Sequence, residues 1–273
     1  MQENAFETIK KIDESGKEYW SSRELAKVLE YPDYRKFLNV IDRAKIACDN
    51  SGEVIHNHFV HMDELVPIGS GAERPVDTIY LSRYACYLIV QNSDPTKVVV
   101  AKGQTYFAIQ TRRQEKTDNL IEDNNRVFLR GEMKKHNTSL MQTASQAGVE
   151  SFAIFQNAGY KGLYGGRTMQ DIHTKKRLKK SQKILDHMNS EELAANLFRA
   201  TQTDAKIKRE NIKGQGNANL AHYIVGQKVR STIANLGGTM PEELPTPDAI
   251  GKAQTRIKKS KKIKKIESGN GKI

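Results

Sequence analysis

Residues 19–52 read YWSSRELAKVLEYPDYRKFLNVIDRAKIACDNSG, and they predict the architecture of the first half of the chain because they contain two complete helix signals. Ser21 is a potential N-cap, Glu24 follows it three residues later, and apolar side chains then recur at helical spacing. Asp33 caps a second amphipathic stretch that continues until Gly52. Two helices joined by a turn of about three residues fit a helix-turn-helix pair, although many helical hairpins of this form bind nothing.

The rest of the first half alternates extended and helical signals. After the helix pair, the sequence predicts a strand or helix up to Ile68, a Gly-Ser-Gly turn, and a strand through Ile79 and Leu81. Two helices follow, and they are separated at residues 92–95, where an Asp-Pro pair is a turn and helix-start signal. A charged helix then links this half to the second.

Charge is distributed unevenly along the chain. The 273 residues have a net charge of +12. Residues 1–160 contain 20 Lys and Arg against 22 Asp and Glu, whereas residues 161–273 contain 24 against 10. The second half therefore carries the whole positive excess, which predicts a polyanion partner, most often nucleic acid.

The composition is that of a water-facing protein, with 37% hydrophobic and 28% charged residues. No apolar run approaches the roughly 18 residues that a membrane-spanning helix needs, and the first residues lack the apolar core of a signal peptide. We therefore expect a cytoplasmic protein without a membrane partner, and the expected nucleic-acid partner would make it nucleoid-associated. The two cysteines, Cys48 and Cys86, form neither a CxxC pair nor a four-ligand zinc site, so we expect both to be buried.

Residues 161–180, KGLYGGRTMQDIHTKKRLKK, resemble a phosphate-binding loop but lack its chemistry. A P-loop needs G-x-x-x-x-G-K-[ST], and here the spacing differs and Arg167 stands in place of the lysine. The paired glycines instead predict a sharp turn. Thr168 and Asp171 then form a capping box for a helix that would carry residues 175–180 outward.

No other motif predicts catalysis or a metal site. The histidines of HNHFVH, residues 56–61, fit neither one strand face nor one helix face, as converging metal ligands would need to. Nucleases of the PD-(D/E)xK type require an acidic pair followed closely by E-x-K on a strand, and we find no such trio in the sequence. We predict no catalytic residue, no metal and no cofactor, while a nuclease with an unrecognised site stays open as an alternative.

Four long motifs resemble the bacterial DNA-damage-inducible protein D family. They are IYLSRYACYLIVQNSDPTK at 79–97, GQTYFAIQTRRQE at 103–115, ELAANLFRATQT at 192–203 and LGGTMPEELPTP at 236–247. The first half also resembles the Bro-N domain of phage antirepressors through WSSRELAKVLEYPDYRKFL at 20–38. The family resemblance implies an SOS-response protein that acts on RecA recombinase filaments or on the DNA that they coat, and Bro-N domains are regarded as DNA-binding.

The expected fold is α+β and predominantly helical. We predict a Bro-N-like domain of short helices and a small β-hairpin or sheet at 1–117, and a linking helix at 118–147. A basic, all-helical domain follows at 148–250, and a disordered basic tail at 251–273. The tail has nine basic residues and one acid, so we expect it to be mobile until it contacts phosphates, in a salt-dependent way.

Basic residues of the second half are the main candidates for nucleic-acid contacts, and we add Tyr160 and Tyr164 as platforms for unpaired bases. The helix after Asn189 would bury Leu193, Leu197, Phe198 and Ile207; it is either a recognition helix or a plain bundle helix. The candidate contacts are Lys161, Tyr164, Arg167, Lys175, Lys176, Arg177, Lys179, Lys180, Lys183, Arg199, Lys206, Lys208, Arg209, Lys258, Lys259, Lys261 and Lys262, with further contacts of the first domain at Arg23, Arg35, Lys36 and Arg43.

Taken with the charge distribution, the family resemblance implies a non-catalytic role in the DNA-damage response. The partners would be DNA, with single strands favoured, and the RecA filament, whose assembly the protein would modulate. The alternatives are a phage-antirepressor-like transcriptional regulator or defence-associated DNA-binding protein, and a nuclease. A homo-oligomer, formed mainly through the aromatic-rich first half, is also compatible with the sequence.

Overall fold

The computed structural model describes residues 3–67 and 72–269, with side chains described for 6–65 and 72–262. Contacts divide the chain into two compact units, Met1–Gln114 and Glu115–Ile273. The division falls close to residue 117, where the sequence predicted the end of the first domain.

The amino-terminal unit combines a small antiparallel sheet with helices, as predicted. The four strands lie in the order β1-β2-β4-β3, and each neighbouring pair is antiparallel. The Gly-Ser-Gly turn predicted at 69–71 lies outside the described residues. In chain order the elements are α1 (Glu3–Thr8), β1 (Lys10–Ile12), β2 (Glu18–Ser21), α2 (Ser22–Val28), α3 (Tyr34–Asn50), β3 (Phe59–Pro67), β4 (Glu73–Leu81), α4 (Arg83–Asn92) and α5 (Val98–Gln146), with a 3-10 turn at Ile55–Asn57.

Local capping explains where the helices of this unit begin. The backbone N–H of Arg35 donates to the carboxylate of Asp33 at 2.9 Å, so Asp33 caps α3 as the sequence predicted. Ser21 occupies the N-cap position of α2, but its side chain makes no capping bond. Its hydroxyl donates instead to Glu64 of β3 at 2.8 Å, because a partner in the sheet lies within reach. The Ser21 residue therefore ties α2 to the sheet.

The core of the amino-terminal unit forms around Trp20, which is fully buried. The Trp20 indole N–H donates to the carbonyl of Phe6 at 3.0 Å, and the two rings stack with centroids 4.8 Å apart. Cys48 and Cys86 are free and buried in this core, as predicted.

The carboxyl-terminal unit is built from helices, and no strand occurs among its described residues. This confirms the predicted all-helical second domain. Beyond the part of α5 that belongs to the unit, the elements are α6 (Phe152–Leu163), α7 (Met169–Lys175), α8 (Ser190–Arg209), α9 (Gln215–Asn235) and α10 (Ile250–Gly269), with a 3-10 turn at Ile184–His187.

Helices α6 and α9 approach closely enough for their backbones to touch. A Cβ atom on Gly226 would lie 2.8 Å from the carbonyl oxygen of Gly159 and from the backbone nitrogen of Leu163. A Cβ atom on Gly162 would meet the carbonyl oxygen of Tyr223. Only glycine leaves room for this contact, which brings polar side chains of α6, α8 and α9 into one buried cluster.

The expected disordered tail is wrong for most of its length, because α10 continues from Ile250 to Gly269. Ala253 is fully buried, and the guanidinium of Arg256 pairs with Asp123 and Asp248 at 2.6 and 2.7 Å. These contacts dock the start of α10 on the unit, although the segment has too few apolar residues to form a core alone. Residues 270–273 lie outside the described part of the chain.

Across the described residues, no helix combines the length and the apolar character that crossing a membrane requires.

Candidate nucleic-acid interface

The glycine-rich stretch of 161–180 is a turn followed by a capped helix. Gly165 and Gly166 have φ of 62° and 91°, a backbone conformation that favours glycine. The backbone N–H of Asp171 donates to the hydroxyl of Thr168 at 3.1 Å, and the N–H of Thr168 donates to the Asp171 carboxylate at 2.7 Å. The predicted capping box is therefore confirmed.

Helix α7 ends at Lys175, so the predicted basic helix through Lys180 is wrong. Arg177 takes the left-handed conformation, with φ of 53°, which stops the helix. The ring of His173 bonds to the carbonyl of Gln182 at 3.1 Å, and the N–H of Lys179 donates to the Gln182 side chain at 2.8 Å. The segment 175–183 thus starts at the last residue of α7 and continues as a loop held by these two hydrogen bonds. We call this segment the basic loop.

The basic loop presents five exposed cations and no acid. No ion pair joins these five to another residue in the described part of the chain, so their charge is available to an anion. They are Lys175, Arg177, Lys179, Lys180 and Lys183.

Lys176 is the exception in the basic loop, because its side chain points into the protein. Its ammonium lies 2.7 Å from Glu192, with 5% of the Lys176 side chain and none of the Glu192 side chain exposed. The predicted DNA contact at Lys176 is therefore corrected to a structural ion pair. Counting charges could not reveal this, since the partner carboxylate lies on α8.

Tyr160 and Tyr164 cannot stack on a base, because they are 4% and 0% exposed. The Tyr164 hydroxyl donates to Glu192 at 2.8 Å and accepts from the Asn196 amide at 2.8 Å. Burial raises the pKa of Tyr164 well above its ordinary value. Both rings belong to the core between α6, α8 and α9, which corrects the predicted aromatic platform.

Arg199 is likewise buried and is not a surface contact. Its guanidinium donates to Nε2 of His222 and to the Asn196 side chain, and it lies 4.9 Å from the centre of the Tyr160 ring. Because arginine can only donate, Nε2 of His222 is the acceptor, and Nδ1–H donates to the carbonyl of Phe155 at 2.9 Å. His222 is therefore neutral, and burial beside Arg199 holds its pKa well below the ordinary value.

Several other predicted contacts of this unit lie at the surface but share their charge with an acid. Arg167 pairs with Glu242 at 2.8 Å. Lys208 pairs with Asp204 at 2.9 Å, and both Lys206 and Arg209 pair with Glu210.

Lys161 is exposed, and Lys258, Lys259, Lys261 and Lys262 are exposed along α10.

Helix α8 packs as a bundle helix. It buries Leu193 completely and Ile207 almost completely, as predicted, whereas Leu197 is half-buried. Phe198 is 54% exposed, so its predicted burial is wrong. Phe198 lines a groove between α8 and α9, a position that helical periodicity alone could not distinguish from the core.

The predicted contacts of the amino-terminal unit divide into two classes. Arg23 donates twice to the carbonyl of Asp77 and lies 4.2 Å from the centre of the Tyr34 ring, while Arg43 donates to the carbonyl of Asn92 at 2.8 Å. Part of the hydrogen-bonding capacity of these two guanidinium groups is therefore taken up by contacts within the unit. Arg35 and Lys36, in the first turn of α3, are exposed.

The histidines of residues 56–61 do not converge on a metal position. His58 bonds to the hydroxyl of Ser82 at 2.8 Å, and His61 lies 3.7 Å from a carboxylate oxygen of Asp77. Throughout the described residues, no cluster of three or more His, Cys, Asp or Glu side chains has the arrangement of a metal site.

Comparison with known families identifies each unit. The BRO family, N-terminal domain, matches residues 8–108, and the DinD C-terminal domain matches residues 120–253. The chain is thus a two-domain protein in which a Bro-N domain precedes a DinD C-terminal domain. It is 56% identical to DNA damage-inducible protein D of Escherichia coli (strain K12) over 266 residues, which cover 94% of this chain and 97% of that protein. The chain belongs to the DNA damage-inducible protein D family.

These findings confirm the resemblance that the four sequence motifs and residues 20–38 indicated. Neither the two domain descriptions nor the name of the relative denotes a catalytic activity.

Proposed function

We propose that this protein acts in the DNA-damage response by binding single-stranded DNA and RecA filaments, and that it modulates recombinational repair without catalysis. The name of the relative, a DNA damage-inducible protein, supports the cellular role. The family resemblance of the sequence motifs supports the filament as the partner.

The observation that carries the DNA-binding part is the basic loop. Five exposed cations lie within residues 175–183, and the buried Lys176–Glu192 pair fixes the loop to α8. A cluster of cations held on a rigid support binds phosphates without a large ordering cost. The exposed lysines of α10 add positive charge on the same unit.

Binding to a fluorescent oligodeoxythymidine, measured by anisotropy, tests the proposal. The variant K179E/K180E should bind at least tenfold more weakly, and the slope of log K against log salt should fall by about 1.4, or about 0.7 for each lost phosphate contact. K17E/K27E is the matched control, because it makes the same charge change at two exposed lysines of the amino-terminal unit. If both variants lose DNA affinity equally, the loss comes from the change in net charge and not from the basic loop.

The filament part needs its own measurement. Preformed RecA filaments on single-stranded DNA should change their lifetime when the protein is added, and K179E/K180E should act less strongly. Filaments with unchanged lifetime would contradict this part and leave the DNA-binding part standing.

The Bro-N match favours a second candidate, a regulator that resembles phage antirepressors. A salt-resistant preference for one duplex over random DNA would support it instead. Incubation with single-stranded and duplex DNA and divalent metals tests the nuclease alternative, and we expect no cleavage products.

A further inference from the structure

A groove between α8 and α9 contains two adjoining cavities, with volumes of about 270 and 330 Å³. Phe198, Val229 and Thr232 line both of them. The lower limit for small-ligand sites is about 300 Å³, so one cavity lies just below it and the other just above. The groove therefore has room for a group of nucleotide size next to the exposed ring of Phe198.

The two cavities differ in chemistry. The first is apolar, with walls that include Ala194, Ala195 and Ile233. The second is lined by three cations, Lys206, Arg209 and Lys228, and by one acid, Glu210. Lys206 and Arg209 share a single carboxylate, that of Glu210, and Lys228 makes no ion pair with any described residue. One end of the groove thus suits an aromatic or apolar group, and the other suits an anion.

We propose that this groove takes an unstacked base of single-stranded DNA against Phe198, while Lys228 and Arg209 hold the adjoining phosphate. The inference rests on the proposed function and adds a base-stacking site to it. Aromatic side chains beside cations bind single strands of any sequence, because every base presents a π-face. Gln202 and Thr232 also line the second cavity. The Gln202 amide can donate to or accept from a base edge, whereas the Thr232 hydroxyl donates to the carbonyl of Lys228 at 3.0 Å and is left to accept.

A base fits this groove better than a partner helix does. An amphipathic helix needs an open groove for anchors spread over several turns. Here Thr239, Pro241 and Leu244 of the segment between α9 and α10 line the apolar cavity, so this segment occupies part of the wall along which a helix would have to lie. The ion pairs of Glu242 with Arg167 and Arg230 hold this segment in place.

Two oligonucleotides of equal length separate stacking from phosphate attraction. One is oligodeoxythymidine, and the other is an abasic oligonucleotide that keeps the phosphates but has no bases. The variant F198A should bind the thymidine strand about tenfold more weakly and the abasic strand as tightly as the parent protein does. F198W should retain thymidine binding, and K228E should weaken the binding of both strands.

Leu220→Ala is the matched control, because Leu220 is an exposed apolar residue of α9 that lines neither cavity. Phe198 is more than half exposed, so F198A should keep the circular dichroism spectrum of the folded protein. If F198A binds the thymidine strand normally while K179E/K180E does not, the stacking site is overturned and the proposed function stands. If neither variant changes binding, both fail. If F198A weakens only the contact with RecA filaments, the groove is a protein-docking surface and the stacking site is overturned.

Discussion

The ammonium of Lys176 lies 2.7 Å from Oε2 of Glu192, and both side chains are buried. The other carboxylate oxygen of Glu192 accepts the Tyr164 hydroxyl at 2.8 Å. Burial raises the pKa of Glu192, although Lys176 opposes that shift. Lys176 therefore stabilises the fold, whereas the other cations of the basic loop are exposed and can contact a ligand.

Replacing Lys176 should cost stability rather than remove a DNA contact. K176M leaves Glu192 buried without its cation, so we expect a loss of about 3 kcal/mol in the free energy of unfolding. K175M changes an exposed neighbour and should stay within about 0.5 kcal/mol of the parent protein. Urea unfolding followed by circular dichroism measures both, and equal stabilities of the two variants would contradict the buried pair.

Gly159 should tolerate no side chain. A Cβ atom at this position would collide with the guanidinium of Arg199 and the ring of His222, both of which are fully buried. We expect G159A to lose about 2 kcal/mol or more in the free energy of unfolding. G131A is the control, because a Cβ atom on Gly131 of α5 meets nothing within 4 Å. It should gain up to about 1 kcal/mol from helix propensity. A stable G159A protein would show that Arg199 is not confined.

Acid should destabilise the carboxyl-terminal unit between pH 7 and 5. The unfolded chain protonates His222 near the ordinary pKa of 6.5, whereas the folded protein keeps the ring neutral. The unfolded state then binds more protons, so stability is complete above pH 6.5 and falls as the pH drops. The loss by pH 5 should be about 2 kcal/mol. Urea unfolding at several pH values should show this slope, and H222N should flatten it. An equal slope in H222N would assign the effect to other groups.

Local signals in the sequence were sufficient for much of the fold. Asp33, Thr168 and Asp171 lie within a few residues of the backbone groups that they bond, so their capping roles could be predicted. The sequence predicted a strand through Ile79 and Leu81, which is confirmed as β4, but it left the segment up to Ile68 open between strand and helix, and the structure shows it as β3, paired with β4. The density of cations in residues 175–183 likewise indicated where the basic loop lies, but the predicted backbone conformation, a helix through Lys180, was wrong.

Residues whose partners are distant in sequence were the ones misjudged. The partner of Lys176 is Glu192, that of Arg199 is His222, and Arg256 reaches back to Asp123. No local pattern encodes such pairs, so a buried cation and an exposed one look alike in the sequence. The same holds for Phe198, whose exposure depends on where α9 lies.

Helix α10 should separate into a structural start and a DNA-binding end. Truncation after Ile257 removes seven basic residues but keeps Ala253 and the Arg256 pairs with Asp123 and Asp248. We expect this variant to fold normally and to bind oligodeoxythymidine more weakly, with a smaller salt dependence because fewer counterions are released. Truncation after Ala249 also removes Arg256 and exposes the surface that Ala253 covers, so it should lower the free energy of unfolding as well. Anisotropy titrations at two salt concentrations and urea unfolding compare the two proteins. If truncation after Ile257 leaves the salt slope unchanged, the lysines beyond Ile257 do not contact phosphates, and the basic loop and the cations of the groove between α8 and α9 would carry the attraction.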